Sequence, residues 1–228
     1  MKTARKVLII ALCAVLLVSI SVMGTMAYLT SQDSVKNTFT VGNVKITLDE
    51  LDVDNDSNTE DNVQYGEGEN ATIRDRANAY KLMPGHTYTK DPIIHVDADS
   101  EACYLFVKVE NGIKAIEAAG DTVASQMLDK GWKLVHGDLL ANEYLYVYAG
   151  TESEKTAVAG GANIAVFDKV VIDGEKVVNV AEGEAVPAGK VNIADYQGKT
   201  VKVTAYAVQK DGFEDMAPSA IWTTAGLN

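Results

Sequence analysis

Cys103-Tyr104-Leu105-Phe106-Val107-Lys108-Val109-Glu110 is the stretch that decides how this chain folds. Successive side chains of an extended strand point to opposite faces. Cys103, Leu105, Val107 and Val109 therefore share one face, and Tyr104, Phe106, Lys108 and Glu110 the other. Alternation of this kind marks a strand with one face in a core. The same period recurs where Val201, Val203, Ala205 and Ala207 alternate with Thr200, Lys202, Thr204 and Tyr206. Leu145 and Val147 alternate with Tyr144, Tyr146 and Tyr148. Phe39 to Leu48 alternates too, with a slip of phase at Gly42-Asn43 that predicts a bulge or tight bend. Phe167 to Ile172, Asp173-Gly174 and Val177 to Val180 read together as a hairpin.

Two short helices interrupt the pattern. Asp121 or Thr122 can cap a helix that carries Val123, Met127 and Leu128 and stops at Gly131. A second turn runs from Pro218 to Thr224, with Trp222 as its apolar plug. Many short strands with few helices predict an all-β fold, a β-sandwich with one or two short helices in its connections. No fixed-period repeat points to a solenoid or propeller. Asp52 to Asn70 is polar and nearly free of apolar residues, so it reads as one long surface loop.

The first residues concern location. Lys2, Arg5 and Lys6 precede an apolar run from Val7 to Met23, and Gly24-Thr25-Met26-Ala27 follows. Positive cluster, apolar core and small-residue cut site make residues 1–27 a secretory signal peptide, cut between Ala27 and Tyr28. The folded domain is then 28–228. A retained anchor is the weaker reading, although the run approaches the length of a spanning helix. Lipid attachment at Cys13 is weaker still, because Leu12 precedes it and it lies inside the apolar run.

Lys and Arg total 20 against 32 Asp and Glu, a formal net charge of -12. Loss of the signal removes three cations, Lys2, Arg5 and Lys6, and no acid. So acidic a surface excludes nucleic acid as a natural partner and is repelled by anionic lipid. Membrane contact is expected only through the uncleaved signal. Cys103 is the one cysteine left after cleavage, so no intramolecular disulfide forms, and its apolar setting predicts a buried, inert thiol.

Four passages carry a resemblance. They are Ala27-Tyr28-Leu29-Thr30 with Asn37-Thr38-Phe39-Thr40-Val41-Gly42-Asn43-Val44, then Met83-Pro84-Gly85 leading to Lys90-Asp91-Pro92, then Ser100 to Val109, and last Ala205-Tyr206-Ala207-Val208-Gln209-Lys210-Asp211-Gly212-Phe213. In this order they resemble the TasA/CalY (camelysin) family, exported proteins of Gram-positive bacteria processed by the SipW type of signal peptidase. The resemblance implies a jelly-roll β-sandwich that is secreted to the cell surface or the biofilm extracellular matrix. It also implies fibres in which the N-terminal strand freed by cleavage inserts into the next subunit. The partners implied are copies of the chain or a related matrix subunit, and the signal peptidase during export. The assembly strand would be Tyr28 to Thr38, with Tyr28, Leu29, Val35 and the adjoining Phe39 as its apolar and aromatic contacts. Strand addition is physically reasonable, because it satisfies the open backbone groups of both partners. A frayed terminus, or one folded back on its own sheet, is the bland alternative.

Chemistry has fewer candidates. Some members of the family carry a metallopeptidase label, but a common zinc peptidase needs two histidines one helical turn apart with a Glu as base. His86, His95 and His136 form no such motif, no catalytic residue is assigned, and the reading leans away from an enzyme. Asp52, Asp54, Asp56 and Asn58 fall on alternate residues, as in the first half of a calcium loop. Ser57 stands where that loop needs Gly, and Val63 where it needs a bidentate Glu. Calcium is thus the one cofactor candidate, and a solvated acidic loop is its alternative. There is no Gly-x-Ser-x-Gly elbow, and Gly160-Gly161 lacks the Lys and Ser/Thr of a phosphate loop. The Tyr144, Tyr146 and Tyr148 stripe reads as packing against another layer before it reads as a sugar platform.

Overall fold

A computed structural model describes residues 43–54, 63–65, 72–137 and 142–227, together with the single positions Lys6 and Cys13. The chain divides into two compact units, Met1–Val41 and Gly42–Asn228, and the strands and helices below belong to the second. The signal peptide, its Ala27/Tyr28 cut, the assembly strand with Tyr28, Leu29, Val35 and Phe39, and the loop positions Asp56 and Asn58 lie outside the described residues. Among the described residues no helix is long and apolar enough to cross a membrane.

The alternating stretches build a four-stranded antiparallel sheet. It contains β6 (Cys103–Asn111), β7 (Trp132–His136), β8 (Glu143–Tyr148) and β13 (Val201–Gln209), in the order β13-β6-β8-β7. β6 and β13 pair along all nine residues, from Asn111↔Val201 to Cys103↔Gln209. A second antiparallel sheet holds β1 (Ile46–Leu51), β2 (Val63–Tyr65), β3 (Thr72–Asp75), β5 (Ile93–Val96) and β9 (Asn163–Ala165), ordered β2-β3-β1-β5-β9. Cys103, Leu105, Val107 and Val109 of β6 share one core cluster with Ile94 and Val96 of β5, and Ile46, Leu48 and Val203 pack against it. Burying apolar surface on this scale, at about 25 cal/mol per Å², is what holds the two sheets to one core.

The other face of β6 is covered too. Tyr104 and Phe106 join Leu145, Val147 and Val208 under the C-terminal helix α2 (Pro218–Thr224), which plugs the patch with Ile221 and Trp222. Period two alone leaves these positions facing solvent; the helix buries them. Only Lys108 and Glu110, farther along the strand, reach partial exposure, and they pair with Glu143 and Lys202.

The expected first helix is α1 (Val123–Asp129). Thr122 is its cap and accepts from Ser125 N at 3.1 Å. Gly131 follows at φ +86, where a Cβ would stand 2.7 Å from the Gly150 carbonyl oxygen, so only glycine fits the turn. Leu128, expected on the apolar face, is 52% exposed, whereas Met127 and the following Trp132 are fully buried.

Three expectations need correction. Phe167 to Val180 is not a hairpin. Its first strand, β10 (Lys169–Val171), pairs antiparallel with β4 (Thr87–Thr89), and β11 (Val177–Val178) pairs parallel with β12 (Val191–Asn192). The turn itself forms, because Asp173 Oδ1 accepts from Glu175 N and Lys176 N, each at 2.8 Å. It redirects the chain without folding it back, because Gly174 packs against Gly85 beside β4. Asp52 to Asn70 is not one loop either, since β2 lies inside it and pairs with β3. Val63 and Tyr65 are strand formers, and the polar composition around them hid so short a strand. Finally, of the strand expected over Phe39 to Leu48, residues 39–42 lie outside the described residues, and the described part is regular strand only from Ile46. Asn43 and Lys45 instead accept backbone N–H groups from Glu101 and Asp97.

Candidate groove and acidic cluster

A groove of about 1170 Å³ is lined by parts of both sheets and by the Arg76–Leu82 segment. Val201, Lys202 and Val203 line it from β13, and Leu48 and Glu50 from β1. Ile113, Val170 and Ile193 add apolar surface, as do Leu82, Tyr88 and Pro92. β13 is the terminal strand of its sheet among the described residues, paired only with β6. The backbone groups of such an edge that point away from its neighbour are available to an added strand.

Residues 76–82 have no regular structure and are held by side chains. Asp75 Oδ1 accepts from Arg76 N (2.6 Å) and Ala77 N (3.2 Å). Ala79 N donates to Asp54 Oδ2 at 2.6 Å. Asn78 reaches back to the end of β1, donating to Leu51 O (3.0 Å) and to Glu50 Oε1 (3.1 Å), while its Oδ1 accepts from Val53 N (2.8 Å). Tyr80 donates to Thr89 O at 2.9 Å and Tyr88 to Lys81 O at 2.6 Å. Burial pushes both phenols upward; for Tyr80 the neighbouring Glu50, Asp91, Asp54 and Asp75 carboxylates add to it. Sequence patterning gave this segment no role, because its residues converge only through the β1–β3 pairing.

Of the calcium candidates, Asp52 and Asp54 do come together. Their carboxylates lie with that of Asp75 inside 4.8 Å, half-buried for the first two and buried for the third. Hard oxygen ligands at such spacing suit calcium. Asp75 was invisible to loop spacing: it is the residue opposite Glu50 in the β1–β3 register. No histidine belongs to this cluster.

The histidines are scattered. His86 is exposed in a turn, with its ring 4.7 Å from that of Tyr88, and His136 is exposed at the end of β7. His95 is buried in β5, with Nε2 3.1 Å from Asp49 Oδ1 and Nδ1 2.7 Å from Asn163 Oδ1. Arg74 Nε also donates to Asp49, and its Nη2 donates to Asp91 O at 3.0 Å. Four strands of the five-stranded sheet are thus cross-tied by one polar network, which accounts for a buried histidine without assigning it chemistry. Cys103 is fully buried, and burial pushes its thiol up to about 11, an inert state. The tyrosine stripe faces inward: Tyr146 is a core residue, and Tyr144 and Tyr148 pack against the same cluster.

No family model, curated protein or solved structure matches this chain.

Proposed function

We propose that this chain is an exported structural protein of the cell surface or biofilm matrix, a jelly-roll β-sandwich that assembles into fibres by N-terminal strand donation. The observation that supports the reading is the groove beside the open edge of β13. Its apolar lining suits alternate side chains of an extended segment, and the strand edge supplies main-chain partners. The donor is Tyr28 to Thr38 of the next copy, with Leu29 and Val35 as apolar anchors. Such a head-to-tail contact does not close on itself, so it propagates as a filament. Negative-stain electron microscopy of Tyr28–Asn228 beside Phe39–Asn228 tests it. Filaments from the longer form alone support donation; filaments from neither return the chain to a monomeric surface role.

A second reading, a calcium-stabilised surface module, is favoured by the convergence of Asp52, Asp54 and Asp75. A calcium-dependent rise in melting temperature that Asp52→Asn with Asp75→Asn removes would support it. Among the described residues a camelysin-like peptidase has no such convergence behind it, and chelator-sensitive cleavage of casein is the observation that would bring it forward.

A further inference from the structure

In the lining of the same groove, three polar side chains form an arrangement of their own. Glu50 is buried, and its two carboxylate oxygens hold different donors: Lys90 Nζ lies 2.6 Å from Oε2, and Asn78 Nδ2 lies 3.1 Å from Oε1. The Asn78 amide has one sensible orientation. Its nitrogen faces two acceptors, Glu50 and the Leu51 carbonyl, and its oxygen accepts from Val53 N at 2.8 Å. The Lys90 side chain is only 13% exposed and lies 5.9 Å from the centre of the Tyr80 ring. One carboxylate therefore bridges an amine and a carboxamide, and a backbone N–H polarises the carbonyl of that carboxamide.

We propose that Lys90 and Asn78 join in an intramolecular isopeptide bond, with Glu50 carrying the protons. The Glu50 carboxylate takes one proton from the Lys90 ammonium and leaves Nζ a neutral nucleophile. Nζ attacks Asn78 Cγ; a C–N bond forms and the carbonyl electron pair moves onto Oδ1, where the Val53 N–H stabilises the developing oxyanion. Glu50 then donates its proton to Nδ2, the oxyanion collapses, the Cγ–Nδ2 bond breaks and ammonia leaves. The surplus proton on Nζ passes to Glu50 and finally to the ammonia, so the products are an amide, ammonium and a regenerated carboxylate. No electrons change hands and no co-reactant is needed. One carboxylate holds both reactants, Lys90 on Oε2 and Asn78 on Oε1, and such a step depends on positioning of this kind. The bond would fasten the Arg76–Leu82 segment to the end of β4, in a chain whose Cys103 is buried without a disulfide.

Intact mass spectrometry of the full secreted chain, with a tryptic map, tests this independently of fibre formation. The expected mass is one ammonia lighter than the sequence of the same chain. Trypsin should leave a branched peptide joining Ala77–Lys81 to the fragment that carries Lys90, uncut at Lys90. Lys90→Arg and Glu50→Gln should each return to the full sequence mass. Asn78→Asp should lose water in place of ammonia, a distinct signature that keeps the test informative should Glu50→Gln not fold. A wild-type mass equal to the sequence, or an ammonia loss mapped elsewhere, overturns the proposal.

Discussion

Trp222 of α2 meets Tyr206 of β13 edge to face, with ring centroids 4.9 Å apart and planes at 86°. The same indole lies 5.8 Å from the ring of Phe106 on β6. One helical residue thus closes the outer face of β6 and its neighbour β13. Aromatic pairs of this geometry add about 0.5–1.5 kcal/mol beyond their burial. Trp222→Ala should cost roughly 3–5 kcal/mol, because it removes those pairs and opens a cavity over Phe106. Urea unfolding checks this. A loss below about 1 kcal/mol would mean that the helix is an ornament on a sheet that stands without it.

Gly131 and Gly120 make a matched pair. Both have positive φ, +86 and +89, but a Cβ on Gly131 strikes the Gly150 backbone whereas one on Gly120 meets open space. Gly120→Ala should cost only the left-handed backbone penalty, about 1–2 kcal/mol. Gly131→Ala should cost clearly more, since the α1–β7 turn must also move away from Gly150. Equal losses in chemical denaturation would refute the steric part of the argument.

How far the sequence carried the architecture depended on where each residue's partner lay. Period two in β6, β8 and β13 needs no knowledge of partners, so these strands were readable, as were the Thr122 cap and the Pro218–Thr224 helix. β10 and β11 were misread because Asp173-Gly174 looks the same whether the chain folds back or is redirected. The site fared worse. Asp52 and Asp54 were visible by spacing, but Asp75 and Asn78 reach Asp54 and Glu50 only once β1 and β3 are in register, and Lys90 reaches Glu50 only once β1 and β5 are. Nothing local marks Glu50 as the residue that holds both Asn78 and Lys90.

Glu117 ties the loop after β6 to the start of α1. Its Oε1 accepts from Asn111 Nδ2 at 3.1 Å and from Val123 N at 3.2 Å. Burial raises its pKa above the ordinary carboxylate value of 4.5, although these hydrogen bonds and Lys114 oppose the shift. The folded protein therefore binds this proton more tightly than the unfolded chain. The resulting stability is fully present below the unfolded pKa and is lost as pH rises through the raised folded one. Glu117→Gln keeps an acceptor and removes the charge. It should match wild type at about pH 4 and exceed it in urea midpoint at about pH 7. A variant that is weaker at neutral pH would show that the ionised carboxylate is needed there for its hydrogen bonds.

Fibre growth by donation makes a prediction about mixtures. Phe39–Asn228 retains β13 and its groove but lacks the donor segment. In a head-to-tail chain such a subunit can accept and cannot donate, so it ends growth at one terminus. Added in small proportion to Tyr28–Asn228, it should shorten filaments without changing their width, as measured by electron microscopy. Leu29→Asp with Val35→Asp should abolish filaments by placing charge where the groove offers apolar surface, at a cost far above a hydrogen bond's contribution. Because those residues precede the Gly42–Asn228 unit, its melting temperature should not move. Filaments of unchanged length in the mixture would mean that the acceptor is not the β13 groove. A melting temperature that fell in the double variant would mean that the segment belongs to its own subunit's fold.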